Sequence, residues 1–382
     1  MKIAAIDLFP ASIPYRHVEL SSRVSRGGVS DVVVRMTADD GRIGWGECCS
    51  GADTLSVLAA AQAMTPFLIG RSPQDGQIAR RDIYGKGLWD YRVQTGNFAW
   101  AGLDMAMLDL AGQDAGLPLW RLLGGRGSLA PVSYFHYLAR DTSDGLARQC
   151  REAVAAGYEH FYLKVGLEPA EDERMIADVR TAIGPDRKLR IDANEAWSSP
   201  QAAKLIRRWD AAYDIDFVEA PIRARPVRHM ARLRERLDVR LCANEGLGSE
   251  TEVLEMIAAD AADVLCFSSY WVGGLQQFLT LSRVAGLAGI EVCKHSHGEF
   301  GIAAAAHQHA LLALGDGARG HQHTAAVLAD DFLQEEIPIR TSPHWGEIEG
   351  AGLGVRVDAA KLDRYHRLFL AQGQFLPWAA RE

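Results

Sequence analysis

The sequence predicts an α/β protein, a barrel of eight parallel strands with a smaller domain attached. Three observations predict it. From Val132 onward, short apolar runs alternate with amphipathic stretches, and eight such units are enough to close a barrel. Polar residues end successive runs at a nearly constant interval: Asp192 in Ile191-Asp192-Ala193-Asn194, Glu219 in Phe217-Val218-Glu219-Ala220-Pro221, and Asn244 in Cys242-Ala243-Asn244-Glu245-Gly246. The steps are 27 and 25 residues, about one strand-helix unit; Lys164 stands one unit earlier and His295 two units later. Finally, 382 residues accommodate a barrel of ~250 residues plus an accessory domain.

The amino-terminal stretch is antiparallel in character. Asp31 to Met36 leads through Asp40-Gly41 into Ile43-Gly44-Trp45-Gly46-Glu47, and Asp-Gly suits a hairpin turn. Apolar spacing predicts helices over Leu55 to Leu68 and Ala99 to Ala115, followed by a glycine-rich linker at Leu122-Leu123-Gly124-Gly125-Arg126-Gly127. The barrel strands are predicted at Val132 to His136, Phe161 to Val165, Leu189 to Ala193, Phe217 to Ala220, Arg240 to Ala243, Val264 to Phe267, Glu291 to Lys294 and Arg319 to His323. Amphipathic stretches such as Asp172 to Ile183 separate them. After about Pro343, a strand-like Gly354 to Asp358 and a helix from Ala360 to Gln372 are expected to return to the amino-terminal domain.

Bulk composition narrows the function. The chain has 41 basic against 49 acidic residues and no basic run, which argues against nucleic acid and anionic membranes as partners while leaving small anionic substrates open. No signal peptide layout and no run of ~18 apolar residues is present, so a soluble cytoplasmic protein is expected. The six cysteines read as buried small hydrophobes rather than a disulfide frame; Cys48 and Cys49 are candidates for exposure near the site, as free thiols.

In a parallel barrel all strands end on one rim, so the periodic polar residues converge. Asp192, Glu219 and an oxygen from Asn244 or Glu245 would give a hard divalent cation an incomplete oxygen shell, which suits magnesium. Lys164, where desolvation and a nearby cation would lower its pKa, is the candidate general base. His295 is the candidate acid or base across the substrate, with Lys294 and His297 competing for that role. His323 is a candidate hydrogen-bond donor to developing negative charge. His307 and His309, two apart on a helix, receive no function.

These residues resemble the enolase superfamily, in its mandelate racemase and muconate lactonizing enzyme branch. The likeness rests on Gly44-Trp45-Gly46-Glu47, Leu103-Asp104-Met105-Ala106-Met107-Leu108-Asp109, Leu122-Leu123-Gly124-Gly125, Asp192-Ala193-Asn194, Phe217-Val218-Glu219-Ala220-Pro221 and Gly352-Leu353-Gly354-Val355, and covers almost the whole chain. It implies a modified TIM barrel, (β/α)7β, under an α+β capping domain built from both termini. The division would be 1–128 for the cap, 129–343 for the barrel and 344–382 for the returning segment. It also implies a homo-oligomer acting on a small carboxylate, with magnesium-assisted removal of the α-proton. The implied metal ligands are Asp192, Glu219 and Asn244, and the implied base is Lys164.

The chain departs from that pattern in four respects, two of them on the sixth strand. Tyr162 replaces the first lysine of Lys-x-Lys, and Asn244 replaces a carboxylate, with Glu245 adjacent as a substitute. The sixth strand's Cys266-Phe267-Ser268-Ser269-Tyr270 has neither a lysine nor an aspartate to orient His295, leaving Ser268 or Ser269 as nearest replacement. The departures favour dehydration of a hydroxy acid or acid sugar, with racemase or epimerase second and cycloisomerase lower. Specificity is expected from the loops Arg16 to Arg26 and Cys48 to Asp53, with Arg16, Arg23 or Arg26 gripping a distal anion and Trp271 lining the pocket. Two rivals are a zinc hydrolase, for which the first strand offers only His136, and a non-catalytic binding barrel.

Overall fold

A computed structural model of the chain describes residues 1–51, 53–87, 93–126, 130–296, 298–315 and 320–376. Five of the expectations touch the remainder: residue 52 of the loop Cys48 to Asp53, Gly127 of the linker, the boundary between 128 and 129, the candidate His297, and Arg319 at the start of the eighth strand lie outside the described residues.

The amino-terminal strands β1 (Ile3–Leu20), β2 (Ser25–Ala38) and β3 (Ile43–Cys48) form an antiparallel sheet in that order. Alternation along β2 gives the sheet two apolar faces. Val32, Val34 and Met36 pack with Leu103, Met107 and Leu110 of the helix Val93–Ala115, whereas Val29 and Val33 belong to the core shared with the barrel. The helix lies so close that a Cβ on Gly46 would meet Gly102 O at 1.9 Å, which explains the glycines around Trp45.

The barrel strands are β4 (Val132–Ser133), β5 (His136–Leu138), β6 (His160–Lys164), β7 (Lys188–Asp192), β8 (Ile215–Glu219), β9 (Arg240–Ala243), β10 (Val264–Phe267) and β11 (Glu291–Lys294). Those from β5 to β11 form one seven-stranded parallel sheet in sequence order, curled as in the modified TIM barrel. The expected first strand is split: β4 pairs antiparallel with β12 (His344–Trp345), and only β5 joins the parallel sheet. In place of the expected eighth strand, an extended segment closes the ring. Gln322 N donates to Lys294 O at 2.9 Å on one side, and His321 N to Ser133 O at 3.0 Å on the other. Helices flank the sheet by simple spacing; in Ser199–Tyr213, Ala202, Leu205, Ile206 and Trp209 face inward at helical intervals.

The second strand-like segment, Gly354 to Asp358, is not a strand; Val357 makes only an isolated bridge to Leu333. The following helix, Ala359–Gln372, packs on β1, and the tail binds the cap through Phe375 N to Ser30 Oγ at 2.9 Å and Gln374 Oε1 to Thr54 N at 2.8 Å. No described helix is long and apolar enough to cross a membrane.

Candidate active site

Lys164, Asp192 and Glu219 are the last residues of β6, β7 and β8, and register pairs Lys164 with Asp192 and Asp192 with Glu219. The three therefore stand level on the rim. Asn244 follows β9 directly, and His295 follows β11. The backbone beyond the acids is unusual: Asn194, Glu195 and Ala220 all have positive φ, at 44°, 61° and 41°. Left-handed conformations at non-glycine residues are costly and cluster where a chain must present a site.

Asp192 is fully buried, at 0% exposure. Its Oδ2 accepts from Lys164 Nζ at 2.5 Å and from the Tyr162 hydroxyl at 2.6 Å, and its Oδ1 from Asn194 N at 2.7 Å. The first lysine that the motif lacks is thus replaced by a phenol that orients the acid without adding charge. Lys164 Nζ also reaches Asn194 Oδ1 at 3.0 Å, and Asn194 Nδ2 in turn donates to Glu245 Oε1 at 3.0 Å. The other oxygen of Glu245 is buried without a hydrogen-bond partner. Burial and the charge of Asp192 push the Glu245 carboxyl up to about 7. Glu219 is held by Gln322 Nε2 at 2.8 and 3.1 Å, and burial with the nearby Asp192 raises its carboxyl well above the usual range. Asn244 Nδ2 donates to Cys266 O at 2.8 Å, which leaves its carbonyl as the ligating end.

The expectation of a lowered Lys164 pKa rests on desolvation and a nearby cation together; the protein's own groups act the other way. Burial opposes the charge, but Asp192, then Glu19, Tyr137 and Glu219, outweigh it and hold the ammonium above its ordinary value. Desolvation is the largest single influence, and it is the four neighbours together that exceed it.

His295 lies with its ring 4.3 Å from that of Trp271, and the Tyr270 hydroxyl is 3.5 Å from Nδ1. Neither serine takes the expected supporting role. Ser269 Oγ is 2.9 Å from His307 Nε2, and Ser268 Oγ is buried with no hydrogen-bond partner. Lys294 is withdrawn from competition by its buried ion pair with Glu299, which also faces His307. His323 is packed against Tyr134 and Phe135, and burial with the charge of Lys294 pushes its pKa down to about 3. Side chains alternate along an extended segment, so with Gln322 turned to Glu219, residue 323 faces the other way.

The arginines also differ from expectation. Arg16 Nε donates to Leu328 O at 3.1 Å, Arg23 pairs with Glu195, and Arg26 pairs with Glu19 at 2.6 Å. All six cysteines are buried free thiols, including Cys48 and Cys49. Cys242 and Cys266 lie under Glu219 with ligand atoms within 4.8 Å, but burial pushes Cys242 up to about 12 and Cys266 well above its usual value. Burial thus keeps the thiols of that layer protonated. His136 opens β5 and packs against Tyr158 and Phe161, away from the strand ends a zinc hydrolase would use.

The donor set fits a hard dication. Three carboxylates, Asp192, Glu219 and Glu245, face one lysine, and one carboxylate oxygen has no partner. Residues 10–124 match the mandelate racemase / muconate lactonizing enzyme N-terminal domain, and residues 145–361 match the enolase C-terminal domain-like family. The chain belongs to the mandelate racemase / muconate lactonizing enzyme family. It is an enzyme of the enolase superfamily, in the isomerase or lyase class.

Family relatives include the N-succinyl-L-Arg/Lys racemase of Bacillus cereus, 30% identical over 81% of this chain and 84% of that protein. The crystal structure of the Bacillus cereus N-succinyl Arg/Lys racemase superposes with a TM-score of 0.87 at 27% identity, covering 96% of this chain and 98% of that one. A dipeptide epimerase from Enterococcus faecalis, complexed with Mg and L-Leu-L-Tyr, gives a TM-score of 0.85 at 25% identity, covering 93% of this chain and 99% of the other.

Several site residues escape a sequence reading. Asn194 lies inside a recognisable string, but only its left-handed backbone shows why it bridges Lys164 and Glu245. Gln322 sits between two histidines that draw attention first, and strand alternation was the signal that could have singled it out. Glu19 lies inside the expected specificity loop and Tyr270 inside the sixth-strand string, but nothing in the sequence singles out either residue.

Proposed function

We propose that the protein moves the proton α to a carboxylate, as a racemase or epimerase, using Lys164 and His295 as the two proton-handling groups. The observation that carries this reading is the direct 2.5 Å contact of Lys164 Nζ with Asp192, at the level of Glu219 on the rim. Asp192, Glu219, Asn244 and Glu245 are the residues that would hold a magnesium ion. Bound there, it would supply Lewis-acid stabilisation of the charge that develops on the substrate carboxylate.

The strand order supports a two-sided arrangement. Lys164, on β6, and His295, after β11, flank the acid-bearing strands β7, β8 and β9 from either side. One group takes the α-proton while the other returns a proton to the opposite face, and net inversion follows. As held by Asp192, Lys164 carries its proton and acts as the donor in one direction. In the reverse direction it must surrender that proton first.

The sequence placed dehydration ahead of racemisation because His295 lacked a partner. Two findings reverse that order. Tyr270 and Trp271 fix the ring, and the relatives are mostly racemases, epimerases and cycloisomerases, although they include a cis-3-hydroxy-L-proline dehydratase. The deciding experiment incubates magnesium-loaded protein with carboxylates in deuterated water. Deuterium uptake with inversion supports this reading; water loss from every accepted substrate returns the choice to dehydration. A homo-oligomer and the division at 128/129 and 343/344 complete the proposal, to be tested by sedimentation and limited proteolysis.

A further inference from the structure

The hairpin joining β1 to β2 does more than cover the barrel. Ser22 Oγ donates to Ala193 O at 2.8 Å and Arg23 pairs with Glu195, so its tip is pinned to the loop that follows Asp192. Behind the tip, Arg26 donates from Nε and one terminal nitrogen to Glu19 Oε2 at 2.9 and 2.6 Å. Arg26 is only 5% exposed, and its guanidinium lies 5.5 Å from the centre of the Tyr15 ring. The Tyr15 hydroxyl is buried without a hydrogen-bond partner, beside the loop that carries His295: a Cβ on Gly298 would lie 3.3 Å from it. The stretch from Tyr15 to Arg23, with Glu19 in its middle, therefore reaches from the loop after Asp192 to the loop that carries His295. Burial is the largest influence on Lys164 and Tyr137, and the charge of Glu19 acts on both in addition.

The charges of the site and this hairpin are unequal. With every carboxyl ionised, as ligation of a dication would require of the metal-binding ones, Lys164 and Arg26 oppose Asp192, Glu219, Glu245 and Glu19, a formal excess of two negative charges. A dication of the kind the ligand oxygens fit would remove that excess. A simple carboxylate would then add one unmatched negative charge to a largely buried pocket, and a diacid two. Unmatched buried charge is costly. A substrate that brings a cationic nitrogen with its carboxylate adds none.

We propose that the substrate is a zwitterion, an acid bearing a protonated or quaternary nitrogen, and that Glu19, clamped by Arg26, is the residue that meets the nitrogen. This rests on the reading of the site as an α-proton enzyme and adds the class of substrate to it. Arg26 holds the carboxylate in place, and the ring of Tyr15 closes the side of the subsite away from Lys164.

The test uses the magnesium-loaded full chain with three matched sets of acids: amino acids and betaines, uncharged hydroxy acids, and diacids. Calorimetric binding and α-deuterium exchange are measured for each. The wild type should bind and exchange the zwitterions in preference to the other two sets. Glu19→Gln should weaken zwitterion binding about tenfold or more and leave uncharged acids bound as before or better, whereas Glu19→Asp should keep the preference. Hydroxy acids or diacids bound and exchanged as well as zwitterions by the wild type would overturn the inference and leave the proposed function standing. Equal weakening of all three sets by Glu19→Gln would reduce Glu19 to a structural clamp and overturn it too. Absence of exchange with every set would defeat the proposed function and this inference together.

Discussion

Two clusters of buried carboxylates invite comparison, one at the barrel mouth and one at the seam between the capping sheet and the barrel. At the seam, Asp31 and Glu47 are both fully buried, and their ligand atoms lie within 4.8 Å of each other and of Cys49 Sγ. Glu47 accepts from Phe300 N at 2.7 Å and Ala303 N at 2.9 Å, capping the helix Gly301–Leu314. Asp31 accepts from Ser50 N at 2.6 Å. Burial pushes Asp31 up to about 7 and Glu47 well above its usual range, with no lysine beside either. At the mouth, by contrast, the acids stand at strand ends and share a lysine, although both clusters keep one oxygen without a hydrogen-bond partner, Glu245 Oε2 at the mouth and Asp31 Oδ2 at the seam. Density of buried acid therefore does not mark a site. Nor does an unpartnered oxygen, since each cluster has one; what sets the mouth apart is that its acids end neighbouring strands on one rim and share a lysine.

The contrast can be broken by substitution. The largest effect is expected from Lys164→Ala, which should lower α-exchange by about 10²–10⁴-fold; exchange at the wild-type rate would remove Lys164 from the chemistry. Next, magnesium should raise the thermal midpoint of the wild type, by about 2.7 kcal/mol of stabilisation at a hundredfold excess over its Kd. Asp192→Asn should abolish that response and Asp31→Asn should not; a lost response in Asp31→Asn would erase the distinction between the clusters.

At the seam the expected losses are structural. Glu47→Ala strips two buried N–H groups of their acceptor and should cost about 2 kcal/mol or more in urea unfolding, with little change in turnover per folded molecule. Asp31 sharpens the picture through pH. Its folded pKa of about 7 lies above the ordinary aspartate value, so its contribution is complete below about pH 4 and is lost as pH rises toward 7. The slope for one proton is at most about 1.4 kcal/mol per pH unit, and Asp31→Asn should flatten it. The smallest effect is assigned to Arg23→Ala: the arginine is 48% exposed, and its loss should change stability by about 0.5 kcal/mol or less.

Several motifs acquire physical meaning only at this seam. Asp109 accepts from Trp45 N at 2.9 Å and Leu353 N at 2.8 Å, and Asp104 accepts from Leu275 N at 3.0 Å. Three separated strings of the sequence are thus one set of backbone caps that dock the cap onto the barrel. They identify the family without touching the site.

By itself the sequence determined the alternation of strands and helices and the spacing of Lys164, Asp192, Glu219 and Asn244. Those features are periodic, and a parallel barrel maps equal spacing along the chain onto neighbouring positions on one rim. Tertiary structure alone decided that Tyr270 rather than Ser268 supports His295, that Gln322 rather than His323 turns to Glu219, and that Arg26 is already paired with Glu19. It also decided how the protein's own charges act on Lys164. Hydrogen bonds and ion pairs depend on separations of a few ångströms between residues far apart in the chain, and no periodicity along one dimension encodes those separations.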